Sequence, residues 1–177
     1  MNDPSSTPGD LLQLVDEEDR DAGLAARSQV HGLGLLHRSV HVAVCDNAGH
    51  LLLQKRSSRK DTSPGLWDIS VGGHLDAGES YLAAALRECG EEIGVTVRPE
   101  DLTSLGRHWF LESPLDRERV ETFALLHRGP FVPNPGEVDE VRFLDADGIE
   151  AWIAQGQTTR SFCLQWDAML RDWLAGR

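Results

Sequence analysis

Residues 72–95 read Gly72-Gly73-His74-Leu75-Asp76-Ala77-Gly78-Glu79-Ser80-Tyr81-Leu82-Ala83-Ala84-Ala85-Leu86-Arg87-Glu88-Cys89-Gly90-Glu91-Glu92-Ile93-Gly94-Val95. The stretch Tyr81 to Ile93 predicts a helix, with Ser80 or Glu79 at its start and Gly94 as the stop. Glu88 and Glu92 are four apart and share a face, and Glu91 lies three after Glu88. Three carboxylates this close repel one another and call for a cation. Hard oxygen donors suit Mg²⁺, with Mn²⁺ as the second choice. Arg87 and Glu91 are also four apart, and Arg87 can reach back to Glu79 as a two-pronged brace. Gly73 and Gly78 bound a loop that brings backbone close to such an ion. Gly90, inside the helix, costs about 1 kcal/mol relative to Ala.

The order Gly73, five residues, Glu79, seven residues, then Arg87-Glu88-Cys89-Gly90-Glu91-Glu92-Ile93-Gly94-Val95 resembles the signature of the Nudix hydrolases at every fixed position. Cys89 and Val95 fill its apolar slots. The plainer reading is an acidic, solvent-facing helix, and the length of the match argues against it. The resemblance implies an α/β fold: an α/β/α sandwich of Nudix type with a mixed sheet, the signature loop-helix-loop and a C-terminal helix. It also implies that the Gly73 carbonyl joins Glu88, Glu91 and Glu92 around the metal.

The whole chain fits that reading. Its 177 residues suffice for one domain with a buried core. Its net charge of −12 disfavours non-specific binding to polymeric nucleic acid or anionic membrane. No apolar run approaches membrane length. Cys45, Cys89 and Cys163 are far apart and show no C-x-x-C spacing, which argues for reduced thiols in the cytoplasm. The N-terminus has neither a basic nor an apolar leader segment.

Residues 1–10 are expected to be a disordered tail and 11–177 one domain, opening with a hairpin at about 11–30. Leu11 to Val15 reads as its first strand and Ala22 to Ser28 as its second. Asp16 to Asp21 between them reads as a solvated acidic turn before a second metal site. His31 to Gly34 reads as a loop. Further strands are expected at His37 to Cys45, His50 to Lys55, Val95 to Val97, Leu102 to Leu111, Arg119 to Arg128 and Val138 to Leu144. Trp67 to Leu75 reads as extended. Asp145 to Gln155 and Arg160 to Leu174 read as helices, the second with a packing stripe of Phe162, Trp166, Met169, Leu170 and Trp173.

Beyond the signature, Leu36 to Val42, Leu51 to Arg56, Ser63 to Ser70 and the early Leu14-Val15-Asp16-Glu17 resemble the Nudix branch related to isopentenyl-diphosphate isomerase. That resemblance aligns Arg56 and Lys60 with diphosphate-binding positions; the plainer reading is a solvated hairpin end. It places His37 and His74 where the isomerase holds metal. For His74 a hydrogen-bonding residue beside the substrate loop is the simpler role, and for His37 and His41 a structural one. The isomerase carries a catalytic cysteine just before its Gly-His pair, and here that position is Gly72. The isomerase also loses the first glutamate of the Glu-Glu pair, and here Glu91 and Glu92 both stand. Both departures favour hydrolysis.

The sequence therefore predicts a Mg²⁺-dependent diphosphohydrolase. Its substrate is a small molecule: a nucleoside diphosphate linked to a moiety X, or a related organic diphosphate. Glu88, Glu91, Arg87 and Glu137 are the candidate catalytic residues. Arg56, Lys60, His74 and Gly73 are the candidate substrate contacts. Glu118 and Glu121 are further candidates for a metal ligand or base. Trp67, Trp109 and Phe110 read as packing before base stacking. An isomerase-like enzyme and a non-catalytic diphosphate sensor are the alternatives. The identity of X, the general base, the number of metal ions and the oligomeric state stay open.

Overall fold

The computed structural model describes residues 11–60 and 62–177. The expected disordered tail at 1–10 lies outside the described residues.

A long strand, β3 (His37–Cys45), organises the sheet. One edge pairs in parallel with β8 (Asp116–Leu126) from His37↔Glu118 to Cys45↔Leu126. β8 continues antiparallel to β7 (Leu102–Ser113). The other edge of β3 is shared in series. β1 (Leu11–Val15) meets it at Leu14↔His37, β6 (Val71–His74) pairs along Ser39 to Val42, and β4 (Leu51–Arg56) pairs only at Cys45↔Leu51. β4 turns away to pair with β9 (Val138–Leu144) and β5 (Trp67–Asp68). The sheet therefore splits between β3 and β4, and β6 lies in the split. β2 (Asp21–Ala26) completes the N-terminal hairpin on β1.

Alternating side chains give the sheet two apolar faces. Val40, Val42 and Val44 of β3 pack with Leu52, Val71 and Phe123 against Ala84, Ala85, Cys89 and Ile93 of α2 (Tyr81–Ile93). On the other face Ala43, Leu51, Leu53 and Ile69 meet Ile149 of α3 (Ala146–Ala154) and the C-terminal helix. The result is the expected α/β/α sandwich. The C-terminal helix runs as α4 (Arg160–Gln165), a π turn (Trp166–Leu170) and α5 (Arg171–Ala175). Its buried residues Phe162, Trp166, Leu170 and Leu174 recur every four positions. An ideal turn holds 3.6 residues, so such a stripe drifts around the helix. The wider π turn takes up the drift and keeps all four on the sheet.

The structure departs from the sequence reading at three places. His31 to Gly34 is not a loop: Arg27–Leu33 forms a helix, α1, which ends when Gly34 turns left-handed at φ 64° and donates to Val30 O. Val30 is buried under Leu12 and Ala25, and that burial outweighs the two nearby glycines. Val95 to Val97 is not a strand, because Val95 N–H closes the end of α2 on Cys89 O at 3.0 Å. The acidic turn is not simply solvated. Asp16 caps it through the N–H groups of Glu18 and Arg20. Asp19, with a side chain 9% exposed, pairs with Arg38 at 2.8 Å and Arg107 at 3.1 Å and accepts from the Tyr81 hydroxyl at 3.2 Å. Of the three aromatic residues, Trp67 and Phe110 are buried and Trp109 is exposed, with Arg119 over its ring.

Removing one partner of a largely buried pair costs about 3–5 kcal/mol. Asp19→Ala is expected to destabilise the fold at the low end of that range, while Glu17→Ala, two residues away and exposed, stays within about 0.5 kcal/mol. Urea unfolding of the two variants checks this.

Candidate active site

The split in the sheet opens a cleft of about 1510 Å³ that reaches both faces of β6. β6 aims successive residues to opposite sides. Gly73 faces α2: a Cβ there would stand 1.9 Å from Glu88 Oε1, so only glycine lets the Glu88 carboxylate seat against this backbone. Gly72 faces the other way, toward His41.

α2 delivers the acidic cluster. Its start is capped by Ser80, which accepts from Ala83 N, and its end by Gly94 at φ 69°. Glu92 is 4% exposed, and its Oε2 accepts from Gly72 N–H and Gln54 Nε2, both at 2.9 Å. Burial, reinforced by the charge of Glu88, pushes the Glu92 carboxyl up to about 8 despite those hydrogen bonds. Burial also lifts Glu88 to about 7, against the pull of Arg87 and with the repulsion of Glu91 and Glu137. Glu91 is 56% exposed and pairs with Arg87 at 2.9 Å.

Arg87 binds this corner together. It donates to Glu79 through Nε at 3.0 Å and Nη2 at 2.8 Å, to Glu88 and Glu91 through Nη1, and to the carbonyl of His74 at 3.0 Å. The expected brace to Glu79 is present and extends to the end of β6. One guanidinium is thus shared among three acidic residues and a carbonyl. The remaining charge and the all-oxygen donor set fit a hard divalent cation at Glu88, Glu91, Glu92 and the Gly73 backbone.

The other sequence-predicted residues line the same cleft, but their cations are already engaged. Lys60 pairs with Glu137. Arg56 donates to Thr62 O from Nε at 3.2 Å and Nη2 at 3.0 Å, to Thr62 Oγ1 at 3.1 Å and to Asp68 at 3.3 Å. Its head ties Thr62 and Asp68 to the end of β4. Glu121 does not join the cleft: it faces Arg107 at 2.7 Å and Ser104 at 2.9 Å.

A second polar cluster sits at the N-terminal end of β3. His31, His37 and His74 bring ligand atoms within 4.8 Å of one another, as do His37, Asp116 and Glu118. His74 Nδ1 lies 3.1 Å from Arg27 Nη1, and its Nε2 lies 3.1 Å from Glu118 Oε1. His37 Nδ1 is 2.9 Å from Leu35 O, and its Nε2 is 3.4 Å from Glu118 without good alignment. Burial opposes ionisation of Glu118, yet His37 and His74 hold its carboxyl well below the ordinary range. Burial pushes His74 down. His31 was hidden by the loop reading, and Gln54 carried no sequence signal because it ends an apolar run.

A mixed sheet split between helical layers, with helix-borne carboxylates set against a glycine loop at the split, defines an α/β protein whose site suits a hard cation. Residues 35–162 match the NUDIX domain model, and the chain belongs to the Nudix family. Its hydrolases generally act on the pyrophosphate bonds of nucleoside diphosphate derivatives. The chain is 33% identical over 140 residues to an uncharacterised Nudix hydrolase of Pseudomonas aeruginosa, covering 79% of this chain and 81% of that protein. It is 35% identical over 145 residues to an isopentenyl-diphosphate Delta-isomerase of Burkholderia multivorans, covering 81% and 82%. The solved structure of DR0079 from Deinococcus radiodurans superposes with a TM-score of 0.72 at 25% identity, covering 84% of this chain and 91% of that one.

A carboxyl raised by folding binds more protons in the folded protein than in the unfolded chain between its ordinary value and its folded value. For Glu92 that window runs from 4.5 to about 8, and stability contributed by this group falls as pH rises through it. Metal-free wild type is therefore expected to lose melting temperature relative to Glu92→Gln as pH goes from 5 to 8. The Gln variant keeps an acceptor for Gly72 and Gln54 but no titrating group. Melting curves of both proteins across that range, in EDTA, check the sign.

Proposed function

We propose that the protein is a cytoplasmic Mg²⁺-dependent diphosphohydrolase, with Mn²⁺ as an alternative ion, acting on a small organic diphosphate. The observation that carries this reading is the cluster of Glu88, Glu91 and the buried Glu92, with Glu88 placed against Gly73 in a cleft that Arg56, Lys60 and Arg87 also line. Glu88, Glu91, Glu92 and the Gly73 carbonyl would hold the ion. When bound, the ion would neutralise charge on the diphosphate and make a water molecule more acidic.

The remaining steps fall to the chain. Water attacks one phosphorus, the P–O–P bond breaks, and the products are X-phosphate and phosphate or a second monoester. The proton released goes to a carboxylate, Glu137 or a glutamate of α2. Lys60 pairs with Glu137 at the cleft, and Arg87 fixes Glu88 and Glu91 on one face of α2. Arg56 and Lys60 would exchange their present partners for the diphosphate, and His74 flanks the same loop. The free state of Cys45, Cys89 and Cys163 supports a reducing compartment, and no helix among the described residues is long and apolar enough to cross a membrane. Pairing of the N-terminal hairpin with β3 supports one domain over 11–177.

Phosphate release from a panel of nucleoside diphosphate derivatives tests the reading. Activity is expected with Mg²⁺ and not in excess EDTA. Glu92→Gln is expected to lose roughly a thousandfold in kcat, the scale of several kcal/mol of charge stabilisation. Activity of that variant within about tenfold of wild type would remove Glu92 from the metal site.

An isomerase reading is favoured by the Burkholderia relative and by the His37, His74 and Glu118 cluster. Against it, Gly72 offers no group to move a proton at carbon, and no cysteine lines the cleft among the described residues. Incubation of isopentenyl diphosphate in deuterated water is expected to give neither deuterium uptake nor a dimethylallyl product by NMR. Either signal at enzymatic rate would establish the isomerase.

A further inference from the structure

On the face of the sheet turned away from α2, His41 projects from the middle of β3 into the cleft. Its Nδ1 lies 3.1 Å from Gln165 Oε1, and Gln165 Nε2 donates to Thr122 Oγ1 at 2.8 Å. Gln165 and Thr122 are wholly buried. With its amide nitrogen spent on Thr122, Gln165 accepts from His41 Nδ1–H. The neutral ring then carries its lone pair on Nε2. Among the described residues that nitrogen has no hydrogen-bond partner, and it is not sealed inside the protein.

The backbone makes room for this ring. Gly72 is the cross-strand neighbour of His41, and a Cβ at 72 would come within 3.1 Å of His41 Cδ2. Phe110 closes the ring from another side, with centroids 5.8 Å apart. An apolar side chain would fill the same space without any buried polar partner to satisfy. Instead, two buried polar groups orient one imidazole so that its free nitrogen meets the cleft. Ser39, His74, Arg160 and Ser161 line the cleft with it.

We infer that His41 is a specificity-determining residue, whose Nε2 accepts a hydrogen bond from the organic group X of the diphosphate. This rests on the diphosphohydrolase reading above. A moiety X with O–H or N–H groups satisfies the imidazole, whereas a hydrocarbon X strips its water and returns nothing. Such mismatches at a hydrogen-bonding site discriminate strongly.

The test uses probes that share a terminal diphosphate. They are the adenosine, guanosine, cytidine and uridine diphosphates, and geranyl diphosphate as the hydrocarbon case. Protein labelled with ¹⁵N at histidine is titrated with each in the presence of Ca²⁺, and ³¹P spectra of the same samples report any cleavage. His41 is assigned by the signal missing in His41→Gln. The expected result is that Nε2 of His41 shifts with at least one nucleotide and not with geranyl diphosphate. His41→Phe, which keeps a ring against Gly72, is expected to reduce the preference for that nucleotide over geranyl diphosphate by about tenfold or more, with His41→Gln recovering part. The preference is scored as a ratio of kcat/KM, or of Kd without turnover. A His41 signal unmoved by every nucleotide, or moved equally by geranyl diphosphate, overturns the inference. If His41→Phe fails to fold, the wild-type spectra decide alone. Failure to cleave any probe with Mg²⁺ counts against the hydrolase reading and leaves the spectral result standing on its own.

Discussion

β3 can offer only one edge to three partners. β8 occupies its other edge along the whole strand, so β1, β6 and β4 must share what remains. The insertion of β6 forces β4 away after a single pair. Everything functional follows from that displacement. It opens the cleft, it puts Gly72 and Gly73 at its wall, and it gives α2 a backbone ledge on which to set Glu88 and Glu92. A β3–β4 hairpin paired over its full length would leave no such opening.

The cleft has two unlike sides. On the α2 side, carboxylates outnumber the cations that reach them, and burial pushes Glu88 up to about 7 and Glu92 up to about 8. On the other side, Gln165 and Thr122 orient His41 with its Nε2 left open, and Glu118 is held ionised by its histidines. One side is short of positive charge, and the other is built for hydrogen bonding. A diphosphate carrying an organic group presents those two demands in one molecule. The basic residues nearest the opening, Arg56, Arg59 and Lys60, engage Thr62, Pro135 and Glu137. Arg59 and Lys60 tie the segment after β4 to the loop before β9.

Much of this was legible before any coordinates. Local signals were strongest where they were redundant: Ser80, the 81–93 pattern and Gly94 agree, and the helix begins and ends where they place it. β3 and β9 were equally plain, because apolar alternation and turn residues coincide. Arg87 to Glu79 could be read from spacing alone. What failed depended on distant partners. α1 is short and glycine-flanked, and it exists because Val30 has a pocket under Leu12. Asp19 looked like any acidic turn residue until β3 and β7 supplied Arg38 and Arg107. Gln54, Gln165 and Thr122 are ordinary polar residues in sequence, and only the fold shows that they orient Glu92 and His41. Side chains that act by positioning another side chain leave no periodic trace.

The last turn of α2 carries an electrostatic cost. The aligned peptide dipoles leave partial negative charge at a helix C-terminus. This helix places Glu91 and Glu92 there, with no basic residue in that turn. Dipole and side chains therefore act in the same direction, against the helix. The end is held instead by backbone geometry: Gly94 closes on Cys89 O, Val132 N–H reaches Ile93 O at 2.9 Å, and Asn134 N–H reaches Glu92 O at 3.0 Å. The segment after β8 thus serves as an external cap for α2. Because that same segment runs on to Glu137, the cleft's outer lip and the helix end that carries the acidic residues are held by one stretch of backbone.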